Sequence, residues 1–188
     1  SFMSEESNIS RWELKGDTLN FSSRVWELRT RRYFHPKKAI EEDFYYIHSP
    51  DWVVVIGRTK EGDILLVRQF RWGIDDFSWE LPGGIIDPGE NPIEAGLREF
   101  REETGFEAQS GTLIGSCQPN PAMLNNVCHF VFADGVIPLD SGPQWDAHEE
   151  MEIAKFSEAK LKQWVQTSKI GHSLALAGLL FYQFQIRD

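Results

Sequence analysis

The sequence has few cysteines and no long apolar run. Its 188 residues include only two cysteines, Cys117 and Cys128, which show neither the spacing of a metal site nor the dense, even set of a small secreted domain. No apolar stretch reaches the roughly 18 residues that a membrane-spanning helix needs. The N-terminus also lacks a charged-then-apolar signal pattern. We therefore expect a cytoplasmic protein with no membrane partner.

An excess of basic residues is also missing. Lysine and arginine number 19 against 29 aspartates and glutamates, so the net charge is −10 and the isoelectric point about 5.0. An acidic surface repels phosphate backbones, which argues against a nucleic-acid partner, but a phosphate-bearing ligand is compatible if a divalent cation lies between. The 13 Phe and 7 Trp supply enough apolar volume for one full domain and a small appendage.

Apolar runs and turn residues predict strands interleaved with helices. Short strands at Val25–Leu28 and Phe44–Ile47 are separated by the basic stretch Arg29–Lys38. Later strands are predicted at Trp52–Gly57, Ile64–Phe70, Ser78–Leu81, Thr112–Ser116, Val127–Ala133 and Met151–Phe156, and helices from Ser157 to Gln166 and from Ser173 to Gln185. This order predicts an α/β sandwich over residues 51–188, preceded by a small β-element over residues 1–50.

The clearest predicted helix begins after Asn91. Asn91 is a good N-cap, Pro92 fits the first helical position, and Gly105 is typical of the residue that ends a helix. On one arc of this helix, beside its apolar stripe, lie three acidic residues: Glu99, Glu102 and Glu103.

Acidic side chains one helical turn apart repel each other, and a hard divalent cation removes that repulsion because it prefers carboxylate oxygens. Arg98 lies one turn before Glu102 and is placed to orient it. Glycines allow a close backbone approach, so a carbonyl of Gly83 or Gly84 can complete a cation site. The alternative is a solvated acidic face, which is how most charge runs are used.

The segment from Gly84 to Phe106 resembles the Nudix box. It reads Gly84-Ile85-Ile86-Asp87-Pro88-Gly89-Glu90, then seven residues, then Arg98-Glu99-Phe100-Arg101-Glu102-Glu103-Thr104-Gly105-Phe106, which fills every fixed position of the 23-residue pattern. Phe100 stands where an aliphatic residue is commoner, but it is still apolar. The resemblance implies an α/β/α sandwich with a mixed central sheet, and hydrolysis of a nucleoside diphosphate linked to another moiety, with Mg²⁺ or Mn²⁺ as cofactor.

Carried over residue by residue, the resemblance implies a role for each polar position of the box. Arg98 orients the acids, Glu102 and Glu103 also serve catalysis, and Glu90 is expected to support them from outside the metal shell. The implied metal ligands are Glu99, Glu102, Glu103 and a carbonyl of Gly83 or Gly84.

A stretch before the box resembles one subgroup, the ADP-ribose pyrophosphatases and related nucleoside-diphosphate-sugar hydrolases. In Leu66–Arg71, followed by Trp79–Gly84, the resemblance implies that Arg71, and with it Arg68, contacts phosphate oxygens of the substrate. Glu80 is expected near the metal face as part of the substrate site. The alternative for both arginines is solubilising charge on a strand.

A second stretch holds Pro121, a candidate substrate contact, about where that subgroup has a proline. The glycine that usually follows is replaced here by Ala122, which weakens an assignment to ADP-ribose alone.

In the subgroup a glutamate in the loop before the last strand acts as base or positions water. Glu149 and Glu150 are the candidates and Glu152 is the third, unless all three merely add to an acidic surface.

The first 50 residues fit an extra β-element of the subgroup that commonly builds a homodimer. Within it Trp26 is a candidate to stack on a base, although a core or interface position is the commoner use of such a side chain. The five histidines show no ligand spacing and receive no role.

These observations predict a Mg²⁺-dependent pyrophosphatase. Its substrate is ADP-ribose or another nucleoside diphosphate sugar, such as GDP-mannose, and its products are a nucleoside monophosphate and a sugar phosphate. Two alternatives are a Nudix-fold ligand sensor without turnover and a hydrolase of dNTPs or dinucleotide substrates.

Overall fold

The computed structural model describes residues 9–187, which contain eleven strands and three helices. In chain order the elements are β1 (Glu13–Ser22), β2 (Glu27–His35), β3 (Ile40–His48), β4 (Trp52–Thr59), β5 (Ile64–Arg71), β6 (Asp76–Glu80), β7 (Gly83–Ile85), α1 (Pro92–Thr104), β8 (Phe106–Glu107), β9 (Thr112–Cys117), β10 (Cys128–Pro138), β11 (Glu152–Phe156), α2 (Glu158–Gln166) and α3 (Ser173–Gln185). None of the described helices is both long and apolar enough to cross a bilayer.

The described residues group into two compact units. The N-terminal unit consists of residues up to 49 together with 120–126, and the larger unit consists of 50–119 and 127–187. In the N-terminal unit β1, β2 and β3 form an antiparallel sheet in that order. The segment 120–126 joins this unit through a backbone hydrogen bond of 2.7 Å from the Ile47 amide to the Met123 carbonyl.

The prediction that the basic stretch separates two strands is wrong. Strand β2 runs through most of it, because carboxylates on the neighbouring strands neutralise its arginines: Asp17 accepts from Arg29 at 2.8 Å and from Arg31 at 2.9 Å, and Asp43 binds Arg32 at 2.8 Å. Strand β1 was not predicted. Every residue of β1 is exposed, so its sequence carries no alternation of buried and exposed positions.

The larger unit is built on a mixed sheet. Its main path runs β11-β5-β4-β10-β8, in which β4 and β10 are parallel and the other pairs antiparallel. Each face of the sheet is covered by an apolar cluster. One cluster contains side chains of α2 and α3, and the other contains Ala95 and Phe100 of α1. The predicted α/β/α sandwich is confirmed.

The strand predicted at Ser78–Leu81 is observed as β6 and is closely followed by β7. Gly83 and Gly84 pair with Val54 and Val53 of β4, and a Cβ on Gly83 would lie 2.1 Å from the Val53 carbonyl oxygen. Only glycine permits this approach. The pairing brings the start of the box to the middle of the sheet, directly below α1.

The predicted helix α1 has the expected ends. The Asn91 side chain accepts from the amides of Ile93 and Glu94, and Gly105 closes the helix with φ 68°. Phe100, the unusual aromatic residue, is fully buried. Its ring lies 2.4 Å from the place where a Cβ on Gly57 would be, so the glycine makes the room that the larger ring needs.

Candidate active site

Two acids of α1 lie against the glycine strand β7. Glu103 is 5% exposed and accepts a hydrogen bond of 2.9 Å from the Gly83 amide. The Glu99 carboxylate lies within 2.5 Å of the position where a Cβ on Gly84 would stand. At this contact α1 contributes carboxylate groups, and β7 contributes glycine backbone without side chains.

Arg98 holds the remaining acids around this contact. Its Nε and Nη2 donate to Glu90 at 3.0 and 2.9 Å, and its Nη1 donates to Glu99 at 2.8 Å. The same Nη1 lies 3.4 Å from Glu102, whose side chain is 43% exposed. Arg98 thus binds Glu90, the first glutamate of the box, and also contacts Glu99 and Glu102 on α1.

The local electrostatics favour a cation. Burial, together with the charges of Glu99 and Glu149, raises the pKa of Glu103 to about 8, although the hydrogen bond from the Gly83 amide and the charge of Arg71 lower it. The pKa of Glu99 is raised too, first by burial and then by Glu102 and Glu149, although Arg98 opposes the shift. This cluster holds more negative charge than its protein donors neutralise, which is the environment that a divalent ion with oxygen ligands relieves.

The donor set fits a hard divalent cation. The residues that would hold it are Glu99, Glu102 and Glu103, with backbone oxygen of the Gly83–Gly84 segment close by. Among residues 9–187 no three acidic, histidine or cysteine groups already converge on one ion-sized point. Arg98 and the Gly83 amide hydrogen-bond to carboxylate oxygens of Glu99 and Glu103 that a cation would share.

The loop after β10 is fastened to the C-terminal end of α1. The Trp145 indole donates to the Glu103 carbonyl at 2.9 Å, and the Gln144 amide donates to the Glu102 carbonyl at 2.7 Å. These bonds satisfy carbonyls that a helix end leaves without partners. Glu149 follows in this loop, its carboxylate accepting from the Asp146 amide at 2.9 Å.

Of the two candidate loop acids, Glu149 is the one that raises the pKa of both Glu99 and Glu103. Glu150 is exposed and lines a groove of about 390 Å³ beside Glu149 and Arg68. Glu152, the third candidate, lies 3.4 Å from Arg68. The roles of these acids remain predictions.

Arg71 and Glu80 form a close pair on β5 and β6. Arg71 donates through Nε at 2.9 Å and Nη2 at 2.6 Å to the two oxygens of Glu80, which is 2% exposed. Burial would raise the pKa of Glu80, but the Arg71 hydrogen bonds and the nearby His172 hold it below its usual value. Glu80 therefore binds Arg71 directly and fixes the plane of its guanidinium group.

The other predicted substrate residues make different contacts. Arg68 pairs with Glu152 and lies 4.7 Å from the Phe77 ring centroid. Trp26 and Pro121 belong to the N-terminal unit, where Trp26 is 39% exposed and its ring lies 5.8 Å from that of Phe21. Their predicted contacts with substrate are untested.

Comparison with known proteins agrees with this geometry, in which acidic side chains of α1 lie against the glycines of β7. The sequence profile of the NUDIX domain matches residues 47–176, well over half of the chain. The chain belongs to the Nudix family. Nudix hydrolases generally use divalent metal ions, which agrees with the donor set described above.

Named relatives place this Nudix hydrolase near the predicted subgroup. An ADP-ribose pyrophosphatase of Bacillus subtilis (strain 168) is 27% identical over 167 residues, which make up 88% of this chain and 86% of the relative. A methanol dehydrogenase activator of Bacillus methanolicus is 26% identical over 139 residues, or 74% of this chain and 75% of the relative. The predicted likeness to the ADP-ribose pyrophosphatase subgroup of Nudix hydrolases is confirmed.

A solved structure shows the same fold. The crystal structure of an ADP compounds hydrolase superposes with a TM-score of 0.83, covers 97% of both chains and is 17% identical in sequence.

Sequence reasoning missed two residues that the structure places beside the site. His172 received no role, yet its Nδ1 caps α3 by accepting from the Ala175 amide at 3.3 Å, and its Nε2 lies 3.7 Å from Glu80. Trp145 fastens the loop of Glu149, but it stands in a stretch without periodicity. No sequence signal identifies either contact, because both join segments that are far apart in the chain.

Proposed function

We propose that this Nudix hydrolase cleaves the diphosphate bond of ADP-ribose or a related nucleoside diphosphate sugar, with Mg²⁺ as cofactor, giving a nucleoside monophosphate and a sugar phosphate. The observation that carries the proposal is the contact of half-buried Glu99 and buried Glu103 with the glycine strand β7. The ADP-ribose pyrophosphatase relative supports the substrate class.

In this proposal Glu99, Glu102 and Glu103 hold the cation, with a carbonyl of Gly83 or Gly84. When bound, the cation neutralises charge on phosphoryl oxygens and makes a water more acidic. Arg98 keeps the acids in position through Glu90 and Glu99. Because Glu103 is buried, its interaction with a cation is weakly screened by solvent.

Two further side chains act on the substrate. Arg71, held flat by Glu80, donates to a diphosphate oxygen. Glu149 accepts the proton of the attacking water. Glu149 suits this role because its loop is fastened to the helix that carries the other acids, and its charge reaches both Glu99 and Glu103.

A substrate panel with product identification tests the proposal. ADP-ribose, GDP-mannose, a dNTP and a dinucleoside polyphosphate are incubated with protein and Mg²⁺, and the products are separated and identified by ³¹P NMR. We expect the two nucleoside diphosphate sugars to be cleaved to monophosphates, and chelation by EDTA to stop the reaction. Preferential hydrolysis of the dNTP would refute the substrate assignment, and tight binding of ADP-ribose with no turnover would make the protein a sensor.

Site-directed variants test the role proposed for each acidic residue. Glu103→Gln and Glu149→Gln should each lower kcat by roughly 100-fold or more, the range of a lost metal ligand or general base. Glu94→Gln, on an exposed position of the same helix, is the matched control and should keep the wild-type rate. A normal rate in Glu149→Gln with a slow Glu150→Gln would move the base to Glu150.

A further inference from the structure

The only two cysteines of the chain face each other across a pair of strands. Cys117 is the last residue of β9 and Cys128 is the first residue of β10, and the two are direct partners in the antiparallel register. Directly opposite residues of an antiparallel pair project from the same face of the sheet, with Cβ atoms about 4.5–5.5 Å apart. Strand pairing therefore places the two thiols side by side, although residues 118–127 separate them in the chain.

This arrangement meets the geometric requirement of a disulfide. The Cα atoms of directly opposite residues are about 4.5 or 5.5 Å apart, depending on whether the pair shares hydrogen bonds, and the Cα atoms of disulfide-bonded cysteines are about 4.4–6.8 Å apart. Because the backbone partners are already in place, a bond between the sulfurs requires adjustment of two side chains and no movement of an element. In this structure both side chains are thiols.

The pair lies at the edge of an apolar cluster. Cys128 is fully buried in the cluster that contains side chains of α2 and α3, and Cys117 is partly buried against it. Burial raises the pKa of both thiols, so neither is the stabilised thiolate that a catalytic cysteine needs. Either cysteine alone would be an ordinary small apolar residue. The feature that distinguishes them is that each is the partner of the other.

A bond at this place would close a ring around a segment of the N-terminal unit. Residues 120–126 lie between the cysteines in the chain and belong to that unit. There the Ile47 amide donates to the Met123 carbonyl at 2.7 Å, and the Asn125 amide donates to the Ile47 carbonyl at 3.3 Å. Joining the two ends of a loop removes conformations from the unfolded and the partly opened chain. A disulfide would therefore stabilise the segment in its folded position.

We propose that Cys117 and Cys128 form a reversible dithiol–disulfide couple, and that the disulfide fastens the two ends of the segment 118–127. The oxidant is a small-molecule disulfide, for which glutathione disulfide is the probe. The thiolate of Cys117, the more exposed of the two, attacks one sulfur of the oxidant and releases one thiolate. The thiolate of Cys128 then attacks the Cys117 sulfur and releases the second.

The exchange is balanced. The two cysteines lose two electrons and two protons, and the oxidant is reduced to two thiols. An added dithiol reverses both steps. The proposal is independent of the hydrolase function, because it uses neither the metal site nor the substrate.

Mass spectrometry of the full-length protein tests the couple. After incubation with glutathione disulfide and an acid quench, wild type should lose the mass of two hydrogen atoms and yield one peptide pair linked through Cys117 and Cys128. Cys128→Ser should stop as a glutathione adduct on Cys117, because the second thiol is missing. Cys117→Ser should stay unmodified, because Cys128 is enclosed in the folded protein.

Stability measurements test the fastening of the segment. Oxidised wild type should melt about 5 °C or more above the reduced protein, as expected for a ring of twelve residues. Its amide hydrogens over residues 118–127 should exchange more slowly. Dithiothreitol should reverse both changes, and Cys117→Ser should respond to neither reagent.

Two sets of results would contradict the proposal. A wild type that keeps both thiols, or that forms only glutathione adducts or disulfide-linked dimers, would overturn the couple. A Cys117–Cys128 disulfide that leaves the melting temperature and the exchange over residues 118–127 unchanged would overturn the fastening of the segment.

Discussion

At the scale of single residues, Glu103 affects both the proposed metal site and the stability of the folded protein. Its carboxyl is buried, so its pKa of about 8 in the folded chain is above the value of 4.5 for a free side chain. A group whose pKa is raised on folding contributes stability that is complete below its unfolded pKa and is lost as the pH rises through its folded pKa. The metal-free protein should therefore lose stability between about pH 5 and pH 8.

We predict that Glu103→Gln is more stable than wild type at pH 8 in EDTA, by roughly 2 kcal/mol, because it removes the buried charge and keeps an acceptor for the Gly83 amide. Thermal unfolding followed by circular dichroism measures this difference. The gap should shrink at pH 5, and Mg²⁺ should raise the melting temperature of wild type alone. A wild type that is as stable as the variant at pH 8 would contradict the prediction.

Gly84 provides a second prediction at this scale. A methyl group there would meet the Glu99 carboxylate at about 2.5 Å, so Gly84→Ala must displace that acid. We expect a kcat lower by about tenfold and a higher Mg²⁺ concentration for half-maximal rate. Gly16→Ala, where an added Cβ meets nothing within 4 Å, should behave as wild type. Identical Mg²⁺ dependence in both variants would argue against Glu99 as a ligand.

At the scale of elements, sequence predicts α1 well and β1 poorly. The capping residue Asn91, the glycine end and the buried stripe of α1 are local signals, and each reports a contact that the helix makes with itself or with one sheet face. Strand β1 has no buried position, so nothing in its sequence records a burial pattern. Strand β7 was missed because its two glycines, normally signs of a turn, allow close pairing with β4.

The same contrast applies to the site. Glu99, Glu102 and Glu103 share one helix, so their spacing alone places them on one arc. The contacts of Arg71 with Glu80 and of His172 with Glu80 depend on strand pairing and on the packing of α3, which are long-range results of folding. For this reason the residues of α1 could be predicted from their spacing, and the contact of His172 with Glu80 could not.

The loop after β10 provides a prediction at the element scale. Trp145→Phe keeps an apolar ring but removes the donor to the Glu103 carbonyl, a loss of about 1 kcal/mol of local stability. We expect faster amide exchange over residues 142–149 and a kcat reduced severalfold, because Glu149 is held less firmly. Trp164→Phe, in the apolar cluster on the other sheet face, should leave exchange in this loop unchanged. Equal exchange in Trp145→Phe and wild type would show that the bond does not order the loop.

At the scale of the whole molecule, the N-terminal unit leaves apolar surface exposed. A three-stranded sheet is stable when a further layer covers one of its faces. The exposed apolar side chains of its strands are Leu14, Leu19, Phe21, Ile40, Phe44 and Tyr45. Phe21 pairs with Leu28 and Tyr45 with Thr30, so both project from the same face of the sheet, since Leu28 and Thr30 are two residues apart on β2.

We predict that the protein is a homodimer in solution and that this face contributes to the interface, because large exposed apolar patches mark association sites. Multi-angle light scattering should give twice the mass of 21.7 kDa for wild type and the single mass for the double variant Phe21→Glu/Tyr45→Glu. Two charges placed in an apolar contact are costly to bury, whereas they remain solvated in a monomer. The matched control, Leu180→Glu/Phe184→Glu on the exposed side of α3, should stay dimeric. A monomeric wild type would refute the dimer, and a dimeric Phe21→Glu/Tyr45→Glu variant would place the interface on another surface.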